Sequence, residues 1–449
     1  MNDIITALAT AYGESGIAIV RISGEGSAAL AERLLCGRKK LSEYPPRTMR
    51  LFTLCDNAEA FDEALAVRFE KGSSYTGEES VEIQCHGGML PAQKCIEILC
   101  ENGAGIAQPG EFTKRAFLNG RLDLSQAEAV LGIIKAKSGE ALAASERTLQ
   151  GKFTEEIKKF LELLTTLAAQ LEVNIDFPED DTGLLPAEEF AAEISDAVSY
   201  GNEIISRCRT GMLLREGINA AIAGKPNVGK SSLLNALLHE ERAIVTEIPG
   251  TTRDKIEEQF LHKGISVRIT DTAGIRNTED KIEAIGIQTA LKAVSDADIV
   301  IWLLDSSREF SEEDTKIRKE LEGKKYITVL NKCDLPQKIS EQEFAKSEIL
   351  RISAATGEGI ETLKDKIIAL VSNGAILAES YGVSSRQLEC LNLAVNSLKN
   401  AIEALNSGLG DDVTADCVAT ARRHAASLLG LDPAEKLLDT VFSDFCVGK

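Results

Sequence analysis

Residues 224–231 read Gly-Lys-Pro-Asn-Val-Gly-Lys-Ser, a complete G-x-x-x-x-G-K-S, and no other stretch constrains the fold of this chain as much. The motif requires a strand before it and a helix after it. The strand delivers the loop, the glycines let the backbone wrap a phosphate, and the N–H groups at the helix N-terminus face the anion. Both neighbours are present: Ile218 to Ala223 is an apolar run of buried-strand length, and Ser232 to Leu238 is an apolar helical stretch. This predicts a phosphate site on Asn227, Val228, Gly229, Lys230, Ser231 and Ser232. Lys230 is expected to reach the β- and γ-phosphates, and the Ser231 hydroxyl to ligate Mg²⁺.

Strands and helices continue to alternate after the motif. Ile265 to Thr270, Ile299 to Asp305, Tyr326 to Asn331 and Ile349 to Ser353 read as strands. That spacing predicts a largely parallel sheet with helices on both faces. Three strand ends carry further chemistry. Asp271-Thr272-Ala273-Gly274 places a carboxylate near the Mg²⁺ shell and the Gly274 N–H near the γ-phosphate. Asn331-Lys332-Cys333-Asp334 offers, in Asp334, an acceptor for the N1–H and the N2 amino group of guanine, which adenine does not present. Ser353-Ala354 fits a loop donating a backbone N–H to guanine O6. In this order, each at the carboxyl end of a strand, they predict GTP as the nucleotide and resemble the translation-factor-related P-loop GTPases. Many small GTPases place Gln after D-T-A-G to orient the attacking water, but here Ile275 stands there. Glu279, Asp280 and Glu283 are the downstream candidates for that task, or a solvated acidic stretch.

At 449 residues the chain is too long for one ordinary core. Residues 1–118 mix short strands (Ile17 to Ile22, Leu65 to Phe69, Val81 to Ile83) with helices and Gly-rich turns, predicting an α+β domain. Residues 119–215 are helical by their three- and four-residue apolar spacing, over Asp123 to Lys137, Ser138 to Val173 and Pro186 to Arg209. The α/β texture covers 216–376, and 377–449 returns to helix over Ser385 to Asn406 and Asp411 to Leu429. The expected architecture is thus multidomain: an N-terminal α+β domain, an all-helical domain, and a P-loop α/β domain inserted into the latter.

Fifty Lys+Arg against seventy Asp+Glu give a formal charge of −20, which excludes non-specific DNA packaging. Ten cysteines without a C-x-x-C pair, and only four histidines, argue against structural zinc. The sequence shows neither a signal peptide nor a membrane span, so a reduced, cytoplasmic protein without a membrane partner is expected.

Ala243 to Asp254, A-I-V-T-E-I-P-G-T-T-R-D, together with Asn227 resembles the potassium-activated GTPases. The flanks narrow this: Val20-Arg21-Ile22-Ser23-Gly24, Tyr75-Thr76-Gly77-Glu78, His86-Gly87-Gly88, Pro109-Gly110-Glu111-Phe112, Arg115-Ala116-Phe117-Leu118-Asn119-Gly120 and the terminal Phe445-Cys446-Val447-Gly448-Lys449. Over essentially its full length the chain resembles the MnmE (TrmE) family of tRNA wobble-uridine modification GTPases. The resemblance implies that the N-terminal domain dimerises and binds 5-formyl- or methylene-tetrahydrofolate, with Arg21, Glu82, Arg121 and Lys449 at folate-contact positions. It implies K⁺ held by Asn227, Thr246, Ile248 and Thr251, and Thr252 joining Ser231 on Mg²⁺. Glu247, Pro249 and Gly250 complete the switch segment against GTP, and Glu283 matches the residue that orients the attacking water. The family acts on tRNA with a flavoprotein partner, MnmG (GidA). Cys446 is either a nucleophile or redox thiol near the folate, or a contact anchoring the tail; His86 divides in the same way between catalysis and hydrogen bonding. Tyr12-Gly13-Glu14-Ser15 departs from the Pro- and Gly-rich stretch common in the family. Two other functions share the G-domain motifs, a ribosome-assembly GTPase and a signalling switch. The first does not need the folate-like domain or the Cys-Val-Gly-Lys end, and in the second the helical regions are only a scaffold.

Overall fold

In a computed structural model of the chain, residues 3–176, 187–238, 258–271, 294–295, 297–340, 349–372, 379–431, 433 and 435–449 are described. The N-terminal part is a seven-stranded sheet of β1 (Ile5–Leu8), β2 (Ile17–Ser23), β3 (Leu35–Cys36), β4 (Arg50–Asp56), β5 (Glu59–Phe69), β6 (Ser80–His86) and β7 (Gly105–Ile106). Its order is β3-β4-β5-β6-β2-β1-β7. Alternation along the strands sorts the side chains between two faces. Val20, Ile22, Val81, Ile83 and Cys85 point to one face and form a core with Ala28 and Leu30 of α1 (Ser27–Ala31 with its capping turn) and Ala92, Cys95, Ile98 and Leu99 of α2 (Met89–Glu101). Arg21 must therefore point to the other face, where it stands directly opposite Glu82 and Ala7 in the strand register. That face carries a smaller cluster of Ile5, Ala7, Ala107 and Phe112, the last from α3 (Glu111–Leu118).

Helices α4 (Leu124–Lys135), α5 (Gly139–Leu149), α6 (Lys152–Asp176) and α7 (Ala187–Glu216) follow. The apolar periodicity predicted one helix over Ser138 to Val173. The structure breaks it at Gln150-Gly151, where Gly151 takes φ +86° and ends α5 in a left-handed turn. On α6, Phe153, Ile157, Phe160, Leu164, Leu167 and Leu171 are buried at alternating three- and four-residue steps. This stripe meets α12 (Asp411–Leu429), which offers the small Ala421 and Ala425 between Val418 and Leu428.

Between the helical segments sits the α/β domain: β8 (Ile218–Ala223), α8 (Lys230–Leu238), β9 (Gln259–His262), β10 (Ile265–Asp271), β11 (Ile299–Asp305), α9 (Glu312–Glu320), β12 (Tyr326–Asn331), β13 (Ile349–Arg351) and α10 (Ile360–Ser372). The sheet order is β13-β12-β11-β8-β10-β9, parallel throughout except for the antiparallel edge strand β9. All seven residues of β11 (IVIWLLD) are buried, as a central strand covered on both faces requires. Ile301 and Leu303 pack on one side with Leu233, Leu234 and Leu237 of α8, and Trp302 and Leu304 on the other with Leu321 at the end of α9. The chain then returns to helix as α11 (Ser385–Asn406), α12 and α13 (Glu435–Ser443). Packing groups the residues into two units, 1–131 with 149–198 and 390–449, and 132–148 with 199–389. The multidomain architecture expected from the sequence is the one observed. No helix among the described residues is long and apolar enough to cross a membrane.

Candidate functional site

The candidate nucleotide site is assembled where β8, β11 and β12 end. β8 delivers the loop 224–229, and α8 opens on Lys230. The Lys230 ammonium donates to Gly224 O at 2.7 Å and Lys225 O at 2.9 Å, so it lies folded back along the loop with its charge on the anion side. Gly229 is forced by a neighbour: at φ +101°, a Cβ there would run into the Asn331 amide nitrogen. Asn227 also adopts a left-handed φ of 65°. Ser231 and Ser232 are exposed in the first turn of α8. This set suits a polyphosphate with a divalent cation: a ring of N–H donors, one ammonium, and a hydroxyl at a helix start.

Asn331 is buried at the end of β12 and uses both ends of its amide. Its Nδ2 donates to Val228 O at 2.9 Å, and its Oδ1 accepts the Ala354 N–H at 2.9 Å. One side chain thus ties the phosphate loop to the loop after β13. In the Ser353-Ala354 loop, expected to donate a backbone N–H to guanine O6, the Ala354 N–H is engaged with Asn331 and the Ser353 N–H with Glu358 O at 3.0 Å in this structure. Lys332, at φ +63°, donates to Asn227 O at 3.0 Å and to Asp305 Oδ2 at 2.6 Å. Asp334 is exposed, with Oδ1 fixed by the Ser353 hydroxyl at 2.6 Å. A carboxylate oriented in this way is ready for a second pair of donors.

Two contributors were not read from the sequence as site residues. Asp305, whose side chain is 3% exposed, closes β11 and also accepts from Ser307 N at 3.0 Å and Ser307 Oγ at 2.6 Å. Burial pushes its carboxyl up, but the hydrogen bonds from Lys332 and Ser307 outweigh that and hold it below the usual carboxylate range. Lys225, a variable position of the motif, pairs with the buried Asp314 at 2.5 Å and with Ser311 Oγ at 2.9 Å. Ser311 and Asp314 form the capping box of α9, and that S-x-x-D spacing was the only local signal. Asp271 ends β10 beside Ile222 of β8. Thr246, Glu247, Ile248, Pro249, Gly250, Thr251, Thr252, Thr272, Ala273, Gly274, Ile275, Glu279, Asp280 and Glu283 lie outside the described residues.

A second polar site occupies the open face of the N-terminal sheet. Arg21 donates through Nε and Nη2 to Glu82 Oε1 at 3.0 and 2.9 Å, and through Nη1 to Gly448 O at 3.2 Å. Its guanidinium lies over the rings of Tyr75 and Phe112, 5.5 and 5.6 Å from their centroids. Gly448 sits at φ +92° where a Cβ would strike Leu8 O, so only glycine lets the tail lie against β1. Burial first, then the charge of Arg21, hold the Lys449 ammonium below its ordinary pKa, while Cys446 and Glu82 oppose. Arg21, Glu82 and Lys449 are therefore brought together. Arg121 donates to Gly72 O at 3.5 Å, on the Gly72–Gly77 turn that also carries Tyr75. Cys446 is an exposed thiol whose carbonyl accepts from Gly110 N at 3.4 Å and Lys449 N at 3.3 Å.

His86 ends β6, with Nδ1 2.5 Å from Asp62 Oδ1 and its backbone N–H donating to Asp62 Oδ2 at 3.0 Å. The Asp62 hydrogen bond, then its charge, raise the imidazole pKa. The pairing therefore contributes below the ordinary histidine pKa of about 6.5 and is lost as pH rises through the raised one. An NMR titration should find His86 titrating above that value, and Asp62→Asn should return it; no change on that substitution would show the pair to be unformed in solution.

Profiles for two domains match end to end: "GTP-binding protein TrmE N-terminus" over residues 4–121 and "MnmE helical domain" over 124–446. The tRNA modification GTPase MnmE of Clostridioides difficile is 41% identical over 457 aligned positions, covering 100% of both chains. That of Finegoldia magna is 41% identical over 456, again covering 100% of both. The chain belongs to the MnmE (TrmE) family of tRNA modification GTPases. Among solved structures, the G domain of the FeoB iron transporter of T. maritima is 34% identical, covering 34% of this chain and 98% of that one, with a TM-score of 0.27. In this MnmE-family GTPase the elements that carry the candidate nucleotide site run between 218 and 354.

Proposed function

We propose that this chain is the K⁺-dependent GTP-hydrolysing subunit of the complex that places carboxymethylaminomethyl or aminomethyl groups on C5 of wobble uridine in tRNA. It works in the cytoplasm as a homodimer, with a flavin-dependent MnmG (GidA) partner and 5-formyl- or methylene-tetrahydrofolate as one-carbon donor. The observation that carries this reading is the C-terminal tail laid across the N-terminal sheet, with Gly448 O on the Arg21 guanidinium that also pairs with Glu82. A plain GTPase has no use for that arrangement. Two cations and one carboxylate beside the half-buried Tyr75 ring suit an aromatic ligand bearing carboxylates. Arg121 supplies a further cation for the glutamate end. The domains follow as 1–118 for folate and dimerisation, 119–215 and 377–449 for the helical scaffold, and 216–376 for GTP.

GTP, with Mg²⁺ and K⁺ bound, supplies the free energy of γ-phosphate hydrolysis. The residues divide that work. Lys230 and the loop N–H groups would take the phosphates, Ser231 and Thr252 would hold Mg²⁺, and Asn227, Thr246, Ile248 and Thr251 would hold K⁺. Glu283 orients water in place of the Gln that Ile275 replaces. A monovalent cation held by these residues would supply positive charge to offset the charge that develops on the phosphates, as an arginine finger does elsewhere. With an overall charge of −20, the chain leaves much of the grip on tRNA to its partner.

The deciding experiment is mass spectrometry of tRNA nucleosides from cells with and without the gene. C5-aminomethyl-type uridines are expected to disappear without it, and an unchanged profile would move the function to ribosome assembly. The catalytic part is tested by phosphate release in K⁺ and Na⁺. Activity is expected only in K⁺ and only with Glu283 intact; full hydrolysis in Na⁺, undiminished by Glu283→Ala, would sink it.

A further inference from the structure

We propose that Asp305 is a positioning residue of the nucleotide site: it fixes Lys332 as a strut between the base-reading loop and the phosphate loop, and so sets the affinity for guanine nucleotides. The proposal rests on the guanine-nucleotide reading of this site.

Lys332 is held at both ends. Its ammonium lies between Asp305 Oδ2 at 2.6 Å and Asn227 O at 3.0 Å, while its carbonyl accepts from Ser306 Oγ at 3.0 Å. Asp305 and Ser306 are adjacent at the end of β11, so one short turn grips both the tip and the root of the lysine. Asp305 is itself locked by Ser307 N and Ser307 Oγ, and Ser306 N donates to Asn331 O at 2.9 Å, which ties the grip to β12.

The direction of the strut gives it a function. It starts beside Asp334 and Ser353, which face the base, and ends on Asn227 in the phosphate loop. A nucleoside joining those two places lies along its four-carbon stem. Without a carboxylate at 305, a lysine side chain would lose rotamer freedom to reach Asn227 O only at the moment of binding. With it, that ordering is complete before the nucleotide arrives. Asp305 acts through Lys332 and has no direct part in choosing the base, which is left to Asp334.

Calorimetric titration of the full chain with GDP tests this in a double-mutant cycle of Asp305→Asn and Lys332→Met. Charge-assisted hydrogen bonds of this kind predict a roughly ten- to hundredfold loss of affinity for Asp305→Asn alone. Adding Asp305→Asn to Lys332→Met should cost nothing more, since the group it positions is gone. The preference for GDP over ADP should survive in Asp305→Asn. Wild-type affinity in Asp305→Asn, or a full additional loss in the double variant, overturns the proposal. Should Asp305→Asn fail to fold, Asp305→Glu, which keeps the charge but displaces it by one methylene, is read in the same cycle with the same criteria. Failure of the wild-type chain to bind GDP overturns the guanine-nucleotide reading itself, an outcome distinct from the others.

Discussion

Replacing Lys230 by alanine is expected to lower kcat/KM for GTP hydrolysis by about 10³-fold, the scale seen when one preorganised donor to developing transition-state charge is removed. The ammonium is already oriented, bonded to Gly224 O and Lys225 O across the mouth of the loop. The protein therefore meets the cost of ordering a long cation before the nucleotide binds, and Lys230→Ala removes that ordered charge. Arginine is expected to rescue poorly, because a planar guanidinium cannot fold back onto the same two carbonyls with a third N–H toward phosphate. Phosphate release under limiting GTP is the measurement, with the melting temperature as a control for folding. A loss smaller than tenfold in a folded variant would show that the loop binds phosphate through its N–H groups alone.

For Asp334→Asn, the expected result is a loss of GTP affinity on the order of 10³, with a gain for xanthosine triphosphate. A carboxylate presents acceptors to both guanine donors. An amide presents one donor and one acceptor, so the guanine amino group meets an N–H. Xanthine carries a carbonyl at that position and restores the match. The Ser353 hydroxyl keeps Oδ1 of residue 334 in place in either case, because an amide oxygen accepts as a carboxylate oxygen does. Competition of the two triphosphates for the same site reads the switch. Equal losses for both would mean that the base is not read at Asp334.

Much of the fold was legible because certain segments have unambiguous physical signatures. β8, β11, β12, α11 and α12 fall on the residues their apolar patterns mark, Ile218–Ala223, Ile299–Asp305, Tyr326–Asn331, Ser385–Asn406 and Asp411–Leu429. A strand buried on both faces must be apolar without interruption, and a packed helix must repeat every three or four residues. β5 was less visible: it runs from Glu59, whereas only Leu65 to Phe69 reads as strand. Its first half, EAFDEA, has one face in water and carries charges that any loop could carry. β1, β3, β4 and β7 drew no specific expectation; for β3 and β7 the reason is length, since strands of two residues have no measurable period.

The sequence by itself determined the sheet, the position of the G-x-x-x-x-G-K-S loop and of Asn331-Lys332-Cys333-Asp334 at its strand ends, and the membership of the family, because each is a local pattern with its own spacing. The tertiary structure decided what closes those sites. Lys225 meets Asp314, Asp305 meets Lys332, and Arg21 meets Gly448 across 427 positions of chain. Such pairs leave no trace in local spacing. A charge beside a strand end or at a chain terminus reads as solvated until folding removes the water and leaves one partner within reach.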